Sequence, residues 1–288
     1  MKISIIGSGV VGKTIGIGFH MLGNTVIFHD IKKKPLLELK KKGYAVTNNI
    51  EEAITKSNIS FVCVPTPTVN HKQDLSHIQD ATSEIGKALR GTDGFHVVVV
   101  KSTVLPFTTR TKVIPLLEQH SQRKVGKDFG ICMSPEFLRQ ATALGDFLKP
   151  SRIVIGEYDK RSGDMLEELH TKINAPVFRT DLETAEMIKY VANTFLTTKI
   201  SFFNELYEIS KNLNLDSEFI AKIVSLDPRI GSYGIHGGYP FTGRCLPKDL
   251  KAFTAFAKSR NVNPKLLEAV LQVNKEISHL RREKCPSR

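Results

Sequence analysis

Apolar residues follow two different rhythms along this chain. In the first half, short β-branched or aromatic runs at Ile3 to Ile6, Thr25 to Phe28, Ile59 to Val64, His96 to Val100, Phe129 to Cys132 and Arg152 to Ile155 read as strands, and the segments between them read as helices. Nearly continuous apolar strands alternating with helices predict an α/β fold, a doubly wound parallel sheet buried on both faces. The rhythm then changes. Thr180-Asp181-Leu182-Glu183 reads as a capping box, Thr180 as N-cap and Glu183 at N3, opening a helix without Gly or Pro to about Asn212. At about 1.5 Å per residue it would be roughly 45 Å long. Its apolar residues (Ile188, Val191, Phe195, Leu196, Ile200, Phe202, Phe203, Leu206, Ile209) cover more than one stripe, which predicts burial on several sides by a helical domain and a second subunit. Helices over Leu213 to Ser225, Asp249 to Ser259 and, with Pro264 at N1, to about Lys284 complete this half. The 288 residues therefore divide into an α/β domain, 1–180, and an all-α domain, 181–288.

The first strand runs directly into Gly7-Ser8-Gly9-Val10-Val11-Gly12 and then a helical segment through Leu22. This is the dinucleotide fingerprint in strand, turn and helix context, and it predicts a Rossmann-type sheet. Gly7, Gly9, Val11 and Gly12 would bring a pyrophosphate to the N–H groups of the helix. Asp30 closes the second strand about 20 residues on, where a carboxylate accepts from a ribose 2′-OH. Lys32, Lys33 and Lys34 beside it would tolerate a 2′-phosphate, but Asp30 repels one, so the expected cofactor is NAD. In such sheets ligands sit at the carboxyl ends of the strands. The loops Pro65-Thr66-Pro67-Thr68, Lys101-Ser102-Thr103-Val104 and Ser134-Pro135-Glu136-Phe137 each follow a strand and should ring one cleft.

Candidate chemistry in the second half centres on Cys245-Leu246-Pro247-Lys248-Asp249, behind a loop rich in glycine from Gly234 to Gly238. A thiol near Lys248, and near the positive end of a helix opened by Pro247, would be favoured as thiolate. Asp249 follows at i+4, and Lys189 and Asn193, also four apart, share a face of the long helix. The net charge of +12 is dispersed without a nucleic-acid motif and suits an anionic small molecule. Four cysteines without paired spacing argue against disulfides and a metal site. With no apolar run near the ~20 residues of a membrane span and no signal-peptide pattern, a cytoplasmic protein is expected.

The ordered series Gly7 to Gly12, Val64-Pro65-Thr66-Pro67, Lys101 to Val104, Ser134 to Arg139, Pro150 to Gly156, Lys189 to Asn193, Asp227-Pro228-Arg229-Ile230-Gly231 and Cys245 to Asp249 resembles the UDP-glucose/GDP-mannose dehydrogenase family, most closely its UDP-glucose 6-dehydrogenases. The resemblance implies oxidation of a sugar C6 alcohol to a carboxylate with two NAD⁺, UDP-glucose to UDP-glucuronate, through a thiohemiacetal and thioester on Cys245. GDP-mannose is the alternative substrate, and a catalytically silent NAD-binding dimer is the alternative function. On the same resemblance Lys189 and Asn193 would stabilise an oxyanion, and Thr103, Glu136 and Asp249 would handle water and protons. Lys34, Thr66, Ser102, Thr103 and Gln140 would join the glycine loop and Asp30 around NAD. Phe137, Leu138, Arg139, Tyr239, Phe241 and Lys248 would line the nucleotide sugar with Lys189 and Asn193, and Arg229 would reach across a homodimer interface. Three departures stand out: Gln140 where the family has Glu, Thr242-Gly243-Arg244 where it has a glycine pair, and Pro35 where it has a basic residue. Family members also continue into a third domain, so a separate chain is expected to supply it if this chain ends at Arg288.

Overall fold

The computed structural model describes residues 1–70 and 72–284, the last three without side chains; Cys285 lies outside the described residues. The chain divides into two compact units, Met1–Pro67 with Gln73–Lys189, and Thr68–Lys72 with Tyr190–Arg288.

The first unit opens with β1 (Lys2–Ile6), α1 (Val10–Met21), β2 (Thr25–His29), α2 (Lys33–Lys41), β3 (Ala45–Thr47), α3 (Ile50–Thr55) and β4 (Ile59–Val62). Two-residue strands β5 (Thr68–Val69) and β6 (Lys72–Gln73) pair with each other, followed by α4 (Ser76–Leu89), β7 (His96–Val100), α5 (Ile114–Ser121) and β8 (Phe129–Met133). Then come α6 (Ala143–Leu148), β9 (Ile153–Glu157), α7 (Lys160–Glu168) and β10 (Val177–Thr180). The eight longer strands form one sheet in the order β10-β9-β8-β7-β4-β1-β2-β3. Because side chains alternate across a strand, β7 sends Val98 and Val100 to a core with Ile54, Ile85 and Leu117, and Val97 and Val99 to an opposite core with Ile15, Phe19 and Leu166. Helices thus cover both faces, and the α/β, doubly wound architecture is as expected.

Two features differ from the sequence reading. The sheet is not wholly parallel: β9 runs antiparallel to β8, pairing Cys132 with Glu157 and Met133 with Gly156. In that direction the start of β9 runs past the end of β8, so Arg152 reaches the edge where Ser134 and Glu136 leave the sheet. The cap of the long helix is also one residue later. Thr180 pairs with Gly156 inside β10, so its backbone is committed to the sheet. Asp181 caps instead, its carboxylate accepting from the N–H (2.7 Å) and hydroxyl (2.9 Å) of Thr184.

The long helix α8 (Leu182–Asn212) has 31 residues and crosses the division between the units. The second unit continues with α9 (Ser217–Val224), α10 (Leu246–Ser259) and α11 (Lys265–Lys284). Two starts are corrected: α9 begins after a turn at Asn214, whose φ is +55°, and α10 begins at Leu246 rather than Asp249. Phe203 packs with Ala221 and Ile235, Phe241 with Leu250 and Val270, and fully buried Tyr190 stacks on Phe253. Burial of α8 on several sides is not observed within the chain: Val191, Phe195, Phe202 and Ile209 are each at least 50% exposed.

Candidate active-site elements

The glycine loop is shaped by contacts that only glycine allows at two points. Gly7 has φ +96°, and a Cβ there would lie 2.8 Å from the Cys63 carbonyl; a Cβ on Gly12 would lie 2.0 Å from the Gly7 carbonyl. Gly9 is different, with open space where its Cβ would stand. It is the N-cap of α1 and has no side chain to occupy the first-turn N–H groups, so the helix end presents donors and the positive end of its dipole. Asp30 sits at the end of β2, where Oδ2 accepts from Ser8 N–H and Oδ1 from Lys32 N–H, both at 2.8 Å. The carboxylate therefore fixes the loop it is expected to work beside. Lys34 is exposed in the first turn of α2. An open glycine cradle, an uncapped helix end and an acid at the second strand's end fit NAD.

The three loops at the carboxyl ends of β4, β7 and β8 are joined to one another. Thr66 Oγ1 donates to the Thr103 carbonyl (2.6 Å), Ser102 Oγ to the Val64 carbonyl (2.7 Å), and Gln73 clamps the same turn through the Thr103 carbonyl (2.8 Å) and the Leu105 N–H (3.1 Å). Lys101 extends its amine to Ser134 Oγ (3.0 Å) and the Pro135 carbonyl (3.2 Å). On the next residue, Glu136 Oε2 accepts from Leu138 N–H (2.6 Å), and Lys189 Nζ meets both Glu136 Oε1 (2.9 Å) and the Glu136 carbonyl (2.7 Å). This ion pair is almost wholly buried. Burial pushes the Lys101 amine down to about 8 and the neighbouring Cys63 thiol up to about 12.

Around this turn lies a cavity of about 290 Å³ lined by Lys101, Ser134, Phe137, Arg152 and His170. The Arg152 guanidinium stacks 3.8 Å from the Phe137 ring centroid, and Leu138 packs against the core that holds Ile15. Arg139 turns to Asp146, which its guanidinium holds down at about 2. Gln140 is exposed at the start of a 3₁₀ turn.

In the second unit Cys245 is an exposed cysteine at the N-cap of α10, with Pro247 in the first helical turn. One turn on, Asp249 is 1% exposed and donates its N–H to the Cys245 carbonyl at 2.9 Å. Its carboxylate accepts from Asn193 Nδ2 (2.6 Å) and Lys248 Nζ (2.5 Å), while Thr68 Oγ1 holds the Lys248 carbonyl (3.2 Å). The Lys248 amine is thus bound to Asp249. Tyr239 is held at its N–H and carbonyl by the Asn204 amide (3.1 and 3.0 Å), with Arg281 3.5 Å above its ring. Phe241 buries its ring in the core. Arg229 is exposed and paired with Asp227 of its own loop.

Within the first unit, then, Thr66, Ser102 and Thr103 lie together, as do Glu136 and Lys189; within the second, Asn193, Lys248 and Asp249 lie together. Lys101, Gln73 and Arg152 were not singled out from sequence. The visible signal for Lys101 is a lysine closing a strand otherwise made of His and four valines.

A doubly wound sheet with an open glycine loop and Asp30, joined through one long helix to a helical unit, places the chain among NAD-binding α/β proteins of the dehydrogenase class. Residues 37–174 match the model of the UDP-glucose/GDP-mannose dehydrogenase family's NAD binding domain, and residues 183–276 match its central domain. The GDP-mannose 6-dehydrogenase of Pseudomonas syringae pv. tomato is 38% identical over 95% of this chain and 68% of its own length. The UDP-glucose 6-dehydrogenase of Haloferax volcanii is 37% identical over 95% and 69%. Among solved structures, a UDP-glucose dehydrogenase from Pyrobaculum islandicum superposes with a TM-score of 0.89 at 33% identity, covering 96% of this chain and 68% of that one. The chain belongs to the UDP-glucose/GDP-mannose dehydrogenase family.

Proposed function

We propose that the chain carries the chemistry of a nucleotide-sugar 6-dehydrogenase, with Cys245 as nucleophile. The observation that carries this reading is the setting of Cys245: an exposed sulfur at a helix N-terminus, one turn from a buried carboxylate anchored by Asn193 and Lys248. The first turn of a helix favours a negative charge at its end, which suits an attacking sulfur. NAD⁺, when bound, accepts one hydride in each of two oxidations. The C6 alcohol becomes an aldehyde, the Cys245 sulfur adds to its carbonyl carbon, and the thiohemiacetal gives up a second hydride to become a thioester. Water then attacks the acyl carbon, the C–S bond breaks, and the carboxylate leaves with the thiol restored. Lys189 and Asn193 are assigned to the oxyanions of these steps, and Glu136, Thr103 and Asp249 to water and protons.

GDP-mannose takes precedence over UDP-glucose as substrate, reversing the order read from sequence, because six curated relatives, from the Pseudomonas syringae pv. tomato enzyme to that of Azotobacter vinelandii, are all GDP-mannose 6-dehydrogenases. The apolar residues exposed along α8 support a homodimer formed through that helix.

The test supplies NAD⁺ with either sugar and counts NADH. Two NADH per sugar with one substrate, and loss of the second oxidation in Cys245→Ser, are expected. Full turnover by Cys245→Ser rejects the thioester, and no NADH from either sugar despite NAD binding rejects the enzyme in favour of a silent binding module.

A further inference from the structure

We infer that Lys101 is a positioning residue for the reaction proposed above, holding the turn that carries Glu136 and so setting the Glu136–Lys189 pair. The inference rests on that functional reading and on four observations in the first unit.

Lys101 follows five buried residues of β7 and is itself only 8% exposed. Both of its hydrogen-bond acceptors, Ser134 Oγ and the Pro135 carbonyl, are neutral, and among the described residues no carboxylate lies within 4.0 Å of its amine. A buried ammonium without a carboxylate in contact is costly, and a fifth valine would close this strand without that cost. What the lysine provides is grip. Its amine and that of Lys189 hold consecutive carbonyls, Pro135 and Glu136, so the turn is fixed from both the sheet and α8. Ser134 is 1% exposed, so removing the Lys101 donor leaves a hydroxyl and a carbonyl facing a buried gap. The turn then shifts, and the carboxylate shifts with it. A displacement of about 1 Å in a catalytic group costs up to about 100-fold in rate.

The charged and titratable groups around the amine come from four elements: Cys63 after β4, Glu136 in the turn, Lys189 on α8 and His170 beyond α7. Burial keeps Cys63 protonated, at about 12, and His170 neutral, at about 4. Lys101, at about 8, loses its charge as pH rises through the assay range.

Wild type, Lys101→Met, Lys101→Arg and the milder Ser134→Ala are compared by steady-state kinetics, thermal unfolding and amide exchange. Lys101→Met is expected to lower kcat about 10- to 100-fold with the NAD⁺ KM within about threefold and faster exchange confined to residues 134–139. Ser134→Ala should show the same pattern, smaller. The wild type is expected to change in turnover near pH 8, and Lys101→Arg, charged at all assay pH values, should recover part of kcat and lack that change. Unchanged kcat and exchange in both Lys101→Met and Ser134→Ala overturn the inference. So does a rate loss without altered exchange over 134–139, or a general loss of thermal stability that Lys101→Arg does not relieve. If the wild type makes no NADH, the functional proposal fails and the exchange pattern alone decides the place of Lys101.

Discussion

Glu186 offers a stability prediction that uses only local geometry. It lies on α8, fully buried, with Oε1 accepting the Thr109 N–H at 2.8 Å; among the described residues neither its Oε2 nor the Thr109 hydroxyl makes a well-formed hydrogen bond, although the hydroxyl and the Phe107 backbone lie close enough to favour the charge a little. Thr109 opens a π-helical turn, Thr109–Val113, whose wider winding accompanies this unfilled hydrogen-bonding capacity. Burial pushes the Glu186 carboxyl up from an ordinary 4.5 to about 7. The folded protein therefore holds this proton more tightly than the unfolded chain, and stability falls as pH rises from about 4.5 to about 7, then levels off. At about 1.4 kcal/mol per tenfold change, the ionised group destabilises the fold by about 3 kcal/mol at pH 8 and by less than about 1 kcal/mol at pH 5. Glu186→Gln removes the charge, keeps an acceptor for the Thr109 N–H and adds an amide donor for the Thr109 hydroxyl. Urea unfolding should place its midpoint about 1 M or more above wild type at pH 8, with the gap mostly closed at pH 5. His96 and His170, both pushed down to about 4 by burial, titrate alike in the two proteins and cancel in the difference. A midpoint equal to wild type at pH 8, or a gap that ignores pH, would refute the reasoning.

Two further outcomes test the packing around the site. Lys189→Met strands a buried Glu136 carboxylate whose remaining hydrogen bond among the described residues comes from the Leu138 N–H, and should cost about 3–5 kcal/mol, while Lys189→Met with Glu136→Gln should cost at least about 1.5 kcal/mol less than the sum of the single changes. Additivity within about 0.5 kcal/mol in urea unfolding would show that the pair is not coupled. Gly18→Ala would set a Cβ 2.2 Å from the Phe147 ring and should destabilise by about 1–3 kcal/mol, whereas Gly145→Ala, with open space at its Cβ, should be neutral or slightly stabilising; thermal unfolding that ranks the two in the opposite order contradicts the packing.

What was legible in the sequence is what short-range chemistry decides. Gly7 and Gly12 are required by contacts within the loop and with the adjacent strand, and the absence of Gly and Pro from Glu183 to Asn212 leaves the helix nothing local to stop it. Pro247 marked a helix start, though α10 begins one residue before it, with Cys245 at the N-cap position and no side-chain cap hydrogen bond. Illegible were the properties that depend on distant partners. The direction of β9 is set by how the chain returns from α6, and its apolar run Ile153-Val154-Ile155 reads identically both ways. β10 was missed because it is a four-residue edge strand whose Phe178 is exposed, and once it forms, its pairing removes Thr180 from the cap. Lys101 meets its acceptors 33 and 34 residues away, and Gln73 its carbonyl 30 away.

The apolar residues of α8 carry the same lesson in a form that bears on assembly. Phe202 and Phe203 are neighbours of one type; Phe203 is 3% exposed against Ala221 and Ile235, and Phe202 is 63% exposed. The sequence reading expected both to be buried, by a helical domain and a second subunit together, because hydrophobicity reports that a side chain avoids water and not whose surface shields it. A 100° step between successive helical residues separates them onto different sides; Phe203 finds cover against α9 and the Ile235 loop, while the side that carries Phe202 is left exposed. Val191, Phe195, Phe202 and Ile209, spaced by four, seven and seven residues, return to one side of the helix. That spacing is what a partner helix of a second copy would read, and it is why the proposed homodimer is placed on α8 rather than on the sheet, whose central strands already have their apolar residues enclosed on both faces.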